Sequence, residues 1–206
     1  MPTSLHELTE EDIARRLELA IMNDKNAIAE SSSYSEWLPG PPRPAAVLIP
    51  LLKEAGEWRL LFTRRTANLA EHSGQVSFPG GQVEENDGSI ENTALREARE
   101  EIGMDPAKVR ILGRMHDILT ITNYSVTPVV GVIPWPYPIR IANDEVSRVF
   151  TIPLTWLADP GNYEIQYREL PPPHKSVEVF YFHLYDGELL WGLSARLTLR
   201  LLEILK

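Results

Sequence analysis

Three glutamates near the middle of the chain form the pattern with the clearest chemical meaning. Glu97, Glu100 and Glu101 occupy three positions of the segment REAREE. On an α-helix these positions share one side, where carboxylates at i,i+4 repel one another by roughly 0.2–0.5 kcal/mol. Mg²⁺ binds carboxylate oxygens and reaches its other ligands through water and substrate phosphates. The pattern therefore predicts a metal-dependent enzyme acting on phosphates, and a solvated acidic helix is the alternative interpretation.

Two glycines and an arginine support the metal interpretation. Gly80 and Gly81 lack side chains, so the backbone of this turn is able to approach a metal ion and phosphates closely. Arg96 is expected to pair with Glu100 at i,i+4 and to hold the carboxylate face in one rotamer. A simple glycine turn and an ordinary surface ion pair are the alternatives. Crowding of the carboxylates predicts raised, coupled pKa values without metal, which suits a general base.

The composition excludes several classes of protein. The chain has 206 residues, no cysteine, 43% hydrophobic residues and a formal net charge of −9. Disulfides and cysteine metal sites are therefore excluded, and the acidity argues against a general nucleic-acid binder. The N-terminus has no basic region followed by an apolar run, and no apolar stretch approaches the ~20 residues of a membrane span. We expect one cytoplasmic domain with terminal additions.

The spacing of apolar residues predicts three helices. The first spans residues 9–29, with Thr9 as its N-cap and an apolar stripe of Ile13, Leu17 and Ile21. The second spans 89–102 and ends at Gly103, and the third spans 193–206, with Ser194 as a cap. A Ser- and Pro-rich linker is expected at 30–44.

Runs of β-branched and aromatic residues predict the strands. They are expected at 45–52, 58–65, 109–115, 124–133 and 177–184, with a short apolar piece at 75–78 and a strand after a turn or short helix within 144–157. Pro128 suggests an edge or a bulge in its strand. Strands mixed with helices in this order predict an α/β sandwich with a mixed sheet, plus N-terminal and C-terminal helices. The predicted organisation is a helix and linker (1–44) packed on a domain (45–206).

The segment from Gly80 to Met104 resembles the Nudix box, G-x5-E-x7-R-E-U-x-E-E-x-G-U, where U is aliphatic. The matching residues are Gly81, Arg96, Glu97, Ala98, Glu100, Glu101, Gly103 and Met104. One extra residue lies between Gly81 and Arg96, and Asp87 is the nearest substitute for the first glutamate of the box.

An upstream signature resembles that of a Nudix subgroup, the coenzyme A diphosphatases. Its form is L-L-T-x-R-[S/A]-x3-R-x3-G-x3-F-P-G-G, and the extra loop residue is also found in this subgroup. The matches are Thr63, Arg65, Gly74 and the FPGG run 78–81. Thr66 stands where Ser or Ala is usual, and Ala70 stands where an arginine is usual. With further similar segments at 124–131, 145–154 and 191–195, the resemblance extends from about residue 45 to the C-terminus.

The resemblance implies a Nudix α/β/α fold and hydrolysis of coenzyme A or its thioesters to 3′,5′-ADP and (acyl-)4′-phosphopantetheine. It implies Mg²⁺ or Mn²⁺ as cofactor and a small-molecule nucleotide substrate. From charge and hydropathy we expect no nucleic-acid or membrane partner, and we expect a monomer or homodimer. The implied metal ligands are Glu100, Glu101 and the carbonyl of Gly80, with Glu97 as a further ligand or base and Glu145 as an additional ligand or base. The implied substrate-binding residues are Arg64, Arg65, His72, Gly74, Phe78, Gly80 and Gly81.

Several alternatives to this assignment stay open. Within the same chemistry, the substrate would be ADP-ribose, NADH or another nucleoside diphosphate derivative. A Nudix-fold binding module without catalysis is the alternative from another class, although it predicts damaged carboxylates and all three are intact here. Glu145 and His72 have a simpler interpretation as surface residues.

Overall fold

A mixed β-sheet lies at the centre of this computed structural model, which describes residues 4–23, 40–67, 73–169 and 176–206. The strands of the sheet are β1 (Arg43–Glu54), β2 (Glu57–Arg65), β3 (Val76–Ser77), β4 (Gly80–Gln82), β5 (Arg110–Arg114), β6 (Ile118–Leu119), β7 (Tyr124–Val132) and β8 (Val146–Pro153). A separate hairpin comprises β9 (Tyr163–Arg168) and β10 (Val177–Phe182). The helices are α1 (Glu10–Asn23), α2 (Ile90–Ile102), α3 (Leu154–Leu157) and α4 (Gly192–Ile204).

The order of strands in the sheet is β3-β2-β1-β7-β5, with β8 beside β2, β4 beside β1 and β6 beside β7. β1 and β7 are parallel, and the other pairs are antiparallel. β1 changes its neighbour along its length: residues 45–47 pair with β4, whereas residues 51–54 pair with β2. The sheet thus divides beside the glycine pair.

Helices cover both faces of the sheet, as the predicted α/β/α sandwich requires. α2 packs Ala94, Ala98 and Ile102 on one face, against a core that includes Leu48 and Val129. The larger core lies on the opposite face, where α1 and α4 pack; its members include Ile13, Leu17, Leu51, Phe62, Leu197 and Leu201. None of the helices in the described ranges is long and apolar enough to cross a membrane.

α2 has clear start and stop signals. The Ser89 side chain accepts a hydrogen bond from the Asn92 N–H at 3.2 Å, which satisfies one of the free N–H groups of the first turn. Gly103 follows the helix with φ of 67°, a left-handed conformation that glycine adopts without steric cost. The predicted helix at 89–102 is therefore confirmed to within one residue.

α1 and the segment before it are attached to the domain through the apolar face of the helix and through two hydrogen bonds. The Trp58 indole N–H donates to the Leu8 carbonyl at 2.8 Å, and the Arg16 guanidinium donates to the Leu205 carbonyl. Thr9 accepts from the Asp12 N–H at 3.1 Å, which confirms its role as N-cap. Residues 24–29 of the predicted helix and 30–39 of the predicted linker lie outside the described residues.

Three local features differ from the predictions. β7 lies between β1 and β5, so of the edge or bulge predicted from Pro128 the edge is wrong, whereas the register between β5 and β7 does shift nearby, between Ile111 and Gly113. The Pro128 carbonyl accepts a hydrogen bond from the Met115 N–H. Ser194 lies inside α4, and Trp191 takes the N-cap position. β9 was not predicted, because its residues are mostly exposed and it depends on pairing with β10.

Candidate active site

Gly80 and Gly81 lie in the short strand β4, which pairs with β1, so the prediction that they form a turn is wrong; β4 packs directly against α2. A Cβ atom on Gly81 would lie 2.4 Å from Oε1 of Glu97, and one on Gly80 would lie 2.4 Å from the carbonyl oxygen of Ala46. Phe78 precedes β4 and stacks on Phe62 with ring centroids 4.7 Å apart, at 3% exposure. Phe78 therefore anchors the start of β4 in the core, while the two glycines bring its backbone close to the carboxylates.

Glu101 is the most deeply buried of the three carboxylates, with 3% of its surface exposed. Burial raises its pKa to about 8, because few polar groups replace the lost water; the Gly80 N–H, 3.4 Å from Oε1, and the charge of Arg65 oppose this increase. Glu101 is therefore mostly protonated at neutral pH in the metal-free protein, and a cation nearby would favour its charged form.

Glu97 is half-buried and also has a raised pKa. Burial is the main cause, Arg96 opposes it, and the negative charges of Glu100 and Glu145 add to the increase. The charge of Glu145 likewise raises the pKa of Glu101, after burial as the main cause. Glu145, which precedes β8 and is exposed, therefore faces the same site from a different element.

Arg96 connects the carboxylates of the helix to the loop before it. Its guanidinium donates to Glu97 at 2.8 Å, Glu100 at 3.0 Å, the Gln82 carbonyl at 2.9 Å and both carboxylate oxygens of Asp87, at 2.8 and 3.2 Å. The predicted pair with Glu100 is present, but it is one of several contacts. With only 15% of its side chain exposed, Arg96 is not an ordinary surface residue.

Asp87 serves as the carboxylate partner of this arginine. It also accepts from the Thr93 hydroxyl and the Glu84 N–H, both at 2.8 Å, and is 6% exposed. The Arg96 guanidinium holds the pKa of Asp87 well below its usual range, even though burial opposes this. The sequence indicated Asp87 as a substitute for the first glutamate of the box, but it did not predict that Arg96 is the partner of Asp87.

The predicted metal ligands offer the chemistry of a hard divalent cation, since their donor atoms are all oxygens. The raised pKa values of Glu97 and Glu101 also fit a cation site, because the positive charge near these carboxylates does not offset their burial. Within the described ranges, no three His, Asp or Glu side chains are grouped as a metal site. Arg96 binds Glu97 and Glu100 in this conformation, so a cation would compete with it.

The other predicted substrate-binding residues lie in different parts of the structure. Arg65 lies near Glu101, and its buried Nε has no hydrogen-bond partner among the described residues. Arg64 points to the opposite face of β2, where its guanidinium lies 3.4 Å from Glu188. Gly74 forms a left-handed turn with φ of 69° before β3. His72, like Ala70, lies outside the described residues.

Replacing Gly81 by alanine is expected to displace Glu97 and to lower kcat by about 10–100-fold, as is typical when the support of a ligand is altered. The new Cβ would meet the end of the Glu97 side chain, which moves more easily than backbone, so the melting temperature should change little. Steady-state kinetics and thermal unfolding test this. Gly161→Ala is the control, because the nearest contact there is Asp159 Oδ1 at 3.2 Å. Normal turnover by Gly81→Ala would contradict a role for Glu97 at this position.

An α/β/α sandwich with a glycine pair packed against a helix rich in carboxylates is the arrangement that the resemblance to the Nudix box implies. Residues 41–164 match the NUDIX domain, and the chain belongs to the Nudix family of hydrolases, which act on nucleoside diphosphate derivatives with divalent metal ions such as Mg²⁺ or Mn²⁺. It is similar to the uncharacterized Nudix hydrolase NudL of Escherichia coli O1:K1, with 39% identity over 154 residues, 74% of this chain and 78% of that protein.

Solved structures show the same fold. A MutT/nudix family protein from Enterococcus faecalis aligns with a TM-score of 0.53 at 17% identity, over 92% of this chain and 73% of that chain. The Nudix hydrolase RenU of M. smegmatis aligns with a TM-score of 0.50 at 16% identity, over 81% and 88%. These likenesses confirm the predicted mixed sheet with flanking helices.

Proposed function

We propose that this chain hydrolyses the pyrophosphate bond of coenzyme A or its thioesters, releasing 3′,5′-ADP and (acyl-)4′-phosphopantetheine. The observation that carries the proposal is the upstream signature, two of whose residues, Arg65 and Gly80, lie near Glu101. The Thr63 hydroxyl donates to the Ser77 carbonyl at 3.2 Å and ties β2 to β3. At the end of β2, Arg65 lies near Glu101, and the FPGG run brings the Gly80 N–H to the same carboxylate. We expect the enzyme to act in the cytoplasm, as a monomer or homodimer.

The proposed roles are those of a metal-assisted hydrolysis. Glu100, Glu101 and the Gly80 carbonyl would hold Mg²⁺ or Mn²⁺, with Glu145 as an additional ligand. The cation would supply positive charge to the diphosphate and acidify water at the site. Glu97 is a further ligand or the base, and its raised pKa suits proton abstraction better than an ordinary carboxylate. We assign the Arg65 guanidinium to donate to a phosphate oxygen, and the support for this role is that its buried Nε lacks a partner among the described residues.

A second candidate is a Nudix hydrolase of ADP-ribose, NADH or a related compound, which has no 3′-phosphate. Two observations favour it. Ala70 removes the arginine that the signature usually carries, and Arg64 pairs with Glu188 on the face opposite α2. Fewer cations near the site would weaken selection for a 3′-phosphate.

A substrate panel under saturating Mg²⁺ tests the proposal. We expect kcat/KM for coenzyme A to exceed that for 3′-dephospho-coenzyme A by roughly tenfold, the effect of one charged hydrogen bond. Chromatography should identify 3′,5′-ADP as a product, EDTA should abolish hydrolysis, and Mg²⁺ or Mn²⁺ should restore it. Equal rates on both coenzymes with faster cleavage of ADP-ribose would favour the second candidate. Cleavage of none of the compounds would favour a binding module.

A further inference from the structure

Thr66 lies immediately after β2 and binds the turn that carries Glu145. Its N–H donates to the Glu145 carbonyl at 2.9 Å, and its hydroxyl donates to the Asp144 carbonyl at 2.9 Å. The residue is 8% exposed, so the hydroxyl has little access to water. The end of β2 and the Glu145 turn are therefore joined by a side-chain bond as well as a backbone bond.

The same turn is also attached to α2. The Ala142 N–H donates to the carbonyl of Glu101 at 2.9 Å, and the Ala142 carbonyl accepts from the N–H groups of Glu145 and Val146, at 2.9 and 2.7 Å. The turn is thus fixed on one side to the helix that carries the carboxylates and on the other side to Thr66. These two attachments fix the position of the Glu145 backbone.

An irregularity in the sheet adds to this arrangement. The register between β2 and β8 shifts after Arg64, so that Arg65 pairs with Val146 and Ser147 is left without a partner in the ladder. The Ser147 hydroxyl lies within hydrogen-bond distance of the Arg64 and Arg65 carbonyls, at 3.1 and 3.3 Å. Such bulges bend a strand and redirect the side chains next to them. Glu145 is two residues from this bulge.

We propose that Thr66 is a positioning residue whose hydroxyl holds the Glu145 turn in the orientation that presents the Glu145 carboxylate to the divalent cation. This inference rests on the role of Glu145 in the proposed function. The hydroxyl acts through Asp144 and touches neither substrate nor metal. The bonds of the turn to α2 support the orientation, because Ala142 joins the Glu145 backbone to the carbonyl of Glu101 through two hydrogen bonds of 2.9 Å.

Titration with Mn²⁺ in the absence of substrate, followed by electron paramagnetic resonance, tests the inference. Thr66→Val keeps the shape of the side chain but removes the hydroxyl, and we expect it to weaken Mn²⁺ binding about tenfold, as loss of a residue that orients a ligand does. Thr66→Ser keeps the hydroxyl and should bind Mn²⁺ as the wild type does. Glu145→Gln should weaken binding, and the double variant should be no weaker than Glu145→Gln alone, because both changes remove the same interaction.

Different results overturn different statements. Wild-type affinity in Thr66→Val, or effects of Thr66→Val and Glu145→Gln that add, would overturn the positioning role alone. Wild-type affinity in Glu145→Gln would overturn the metal role of Glu145 and the inference with it. The Mn²⁺ titration does not depend on the substrate specificity, because no substrate is present. If urea unfolding shows that Thr66→Val does not fold, Thr66→Ala provides the same test, since it also removes the hydroxyl and places no second methyl group beside the Asp144 carbonyl.

Discussion

Glu101→Gln is expected to lower kcat by about 10²–10³-fold, comparable to the loss of a group that stabilises transition-state charge. Glutamine has the shape of glutamate and is still able to accept from the Gly80 N–H, so the substitution removes charge with little change in packing. Mg²⁺-dependent kinetics and circular dichroism measure activity and fold. Glu203→Gln, on the exposed side of α4, is the control and should be fully active. Near-normal turnover by Glu101→Gln would exclude it as a metal ligand.

The same variant has a predicted effect on the pH dependence of stability. Burial raises the pKa of Glu101 to about 8 from an ordinary 4.5, so the folded protein binds this proton more tightly than the unfolded chain does. The resulting stability is present below pH 4.5 and is lost as the pH rises towards 8. Glutamine does not titrate. In EDTA, the free energy of unfolding of the wild type should therefore fall by a few kcal/mol relative to that of Glu101→Gln across this pH range. The expected change is about 1.4 kcal/mol per unit of pKa difference.

Urea unfolding of both metal-free proteins at pH 5 and pH 8 measures this difference. Parallel stability profiles would show that Glu101 is not buried as a titrating carboxyl. Added Mg²⁺ should reduce the difference at pH 8, since a bound cation compensates for the buried charge.

Arg96→Met is expected to lower the free energy of unfolding by about 2 kcal/mol, between the values typical of exposed and buried ion pairs. It removes the partner of Asp87, whose side chain is 6% exposed, and frees the loop that the guanidinium ties to Gln82. It also releases Glu97 and Glu100, so kcat should fall. Urea unfolding at pH 7 and steady-state kinetics measure the two effects.

Arg15→Met is the matched control for this ion pair. Arg15 pairs with Asp12 at 3.1 Å, but its side chain is 66% exposed, and the expected loss is below about 1 kcal/mol. The double variant Arg96→Met/Asp87→Asn should be more stable than Arg96→Met, because it leaves no buried unpaired charge. Equal stability of Arg96→Met and Arg15→Met would contradict the central position of Arg96.

Local signals made some elements predictable from the sequence. Ser89 and Gly103 lie at the ends of α2 and act on adjacent backbone groups, so the helix was predicted to within one residue. Strand alternation also places Arg64 and Arg65 on opposite faces of β2, and this pattern was visible in the sequence. Only Arg65 lies near Glu101, although both arginines were predicted to bind substrate.

Contacts between distant parts of the chain were not predictable in the same way. The hydroxyl of Thr66 binds the carbonyl of Asp144, 78 residues away, and no local pattern reveals such a contact. Asp87 and Arg96 are nine residues apart across a loop and a helix, where spacing rules for a continuous helix do not apply. The interior position of β7 in the sheet likewise depends on its pairing with β1, a strand that is distant in the sequence.

The change of neighbour along β1 allows stability to be altered within this strand at positions away from the glycine pair. Its first stretch, 45–47, pairs with β4 and also contributes the buried Ala46 to the core, so substitutions there would change both the approach of the glycines to α2 and the packing. Its later residues Leu51 and Leu52 belong to the two opposite cores and pair with β2. Changes at such separated positions usually have independent effects. Substitutions at Leu51 or Leu52 are therefore expected to change thermal stability more than turnover.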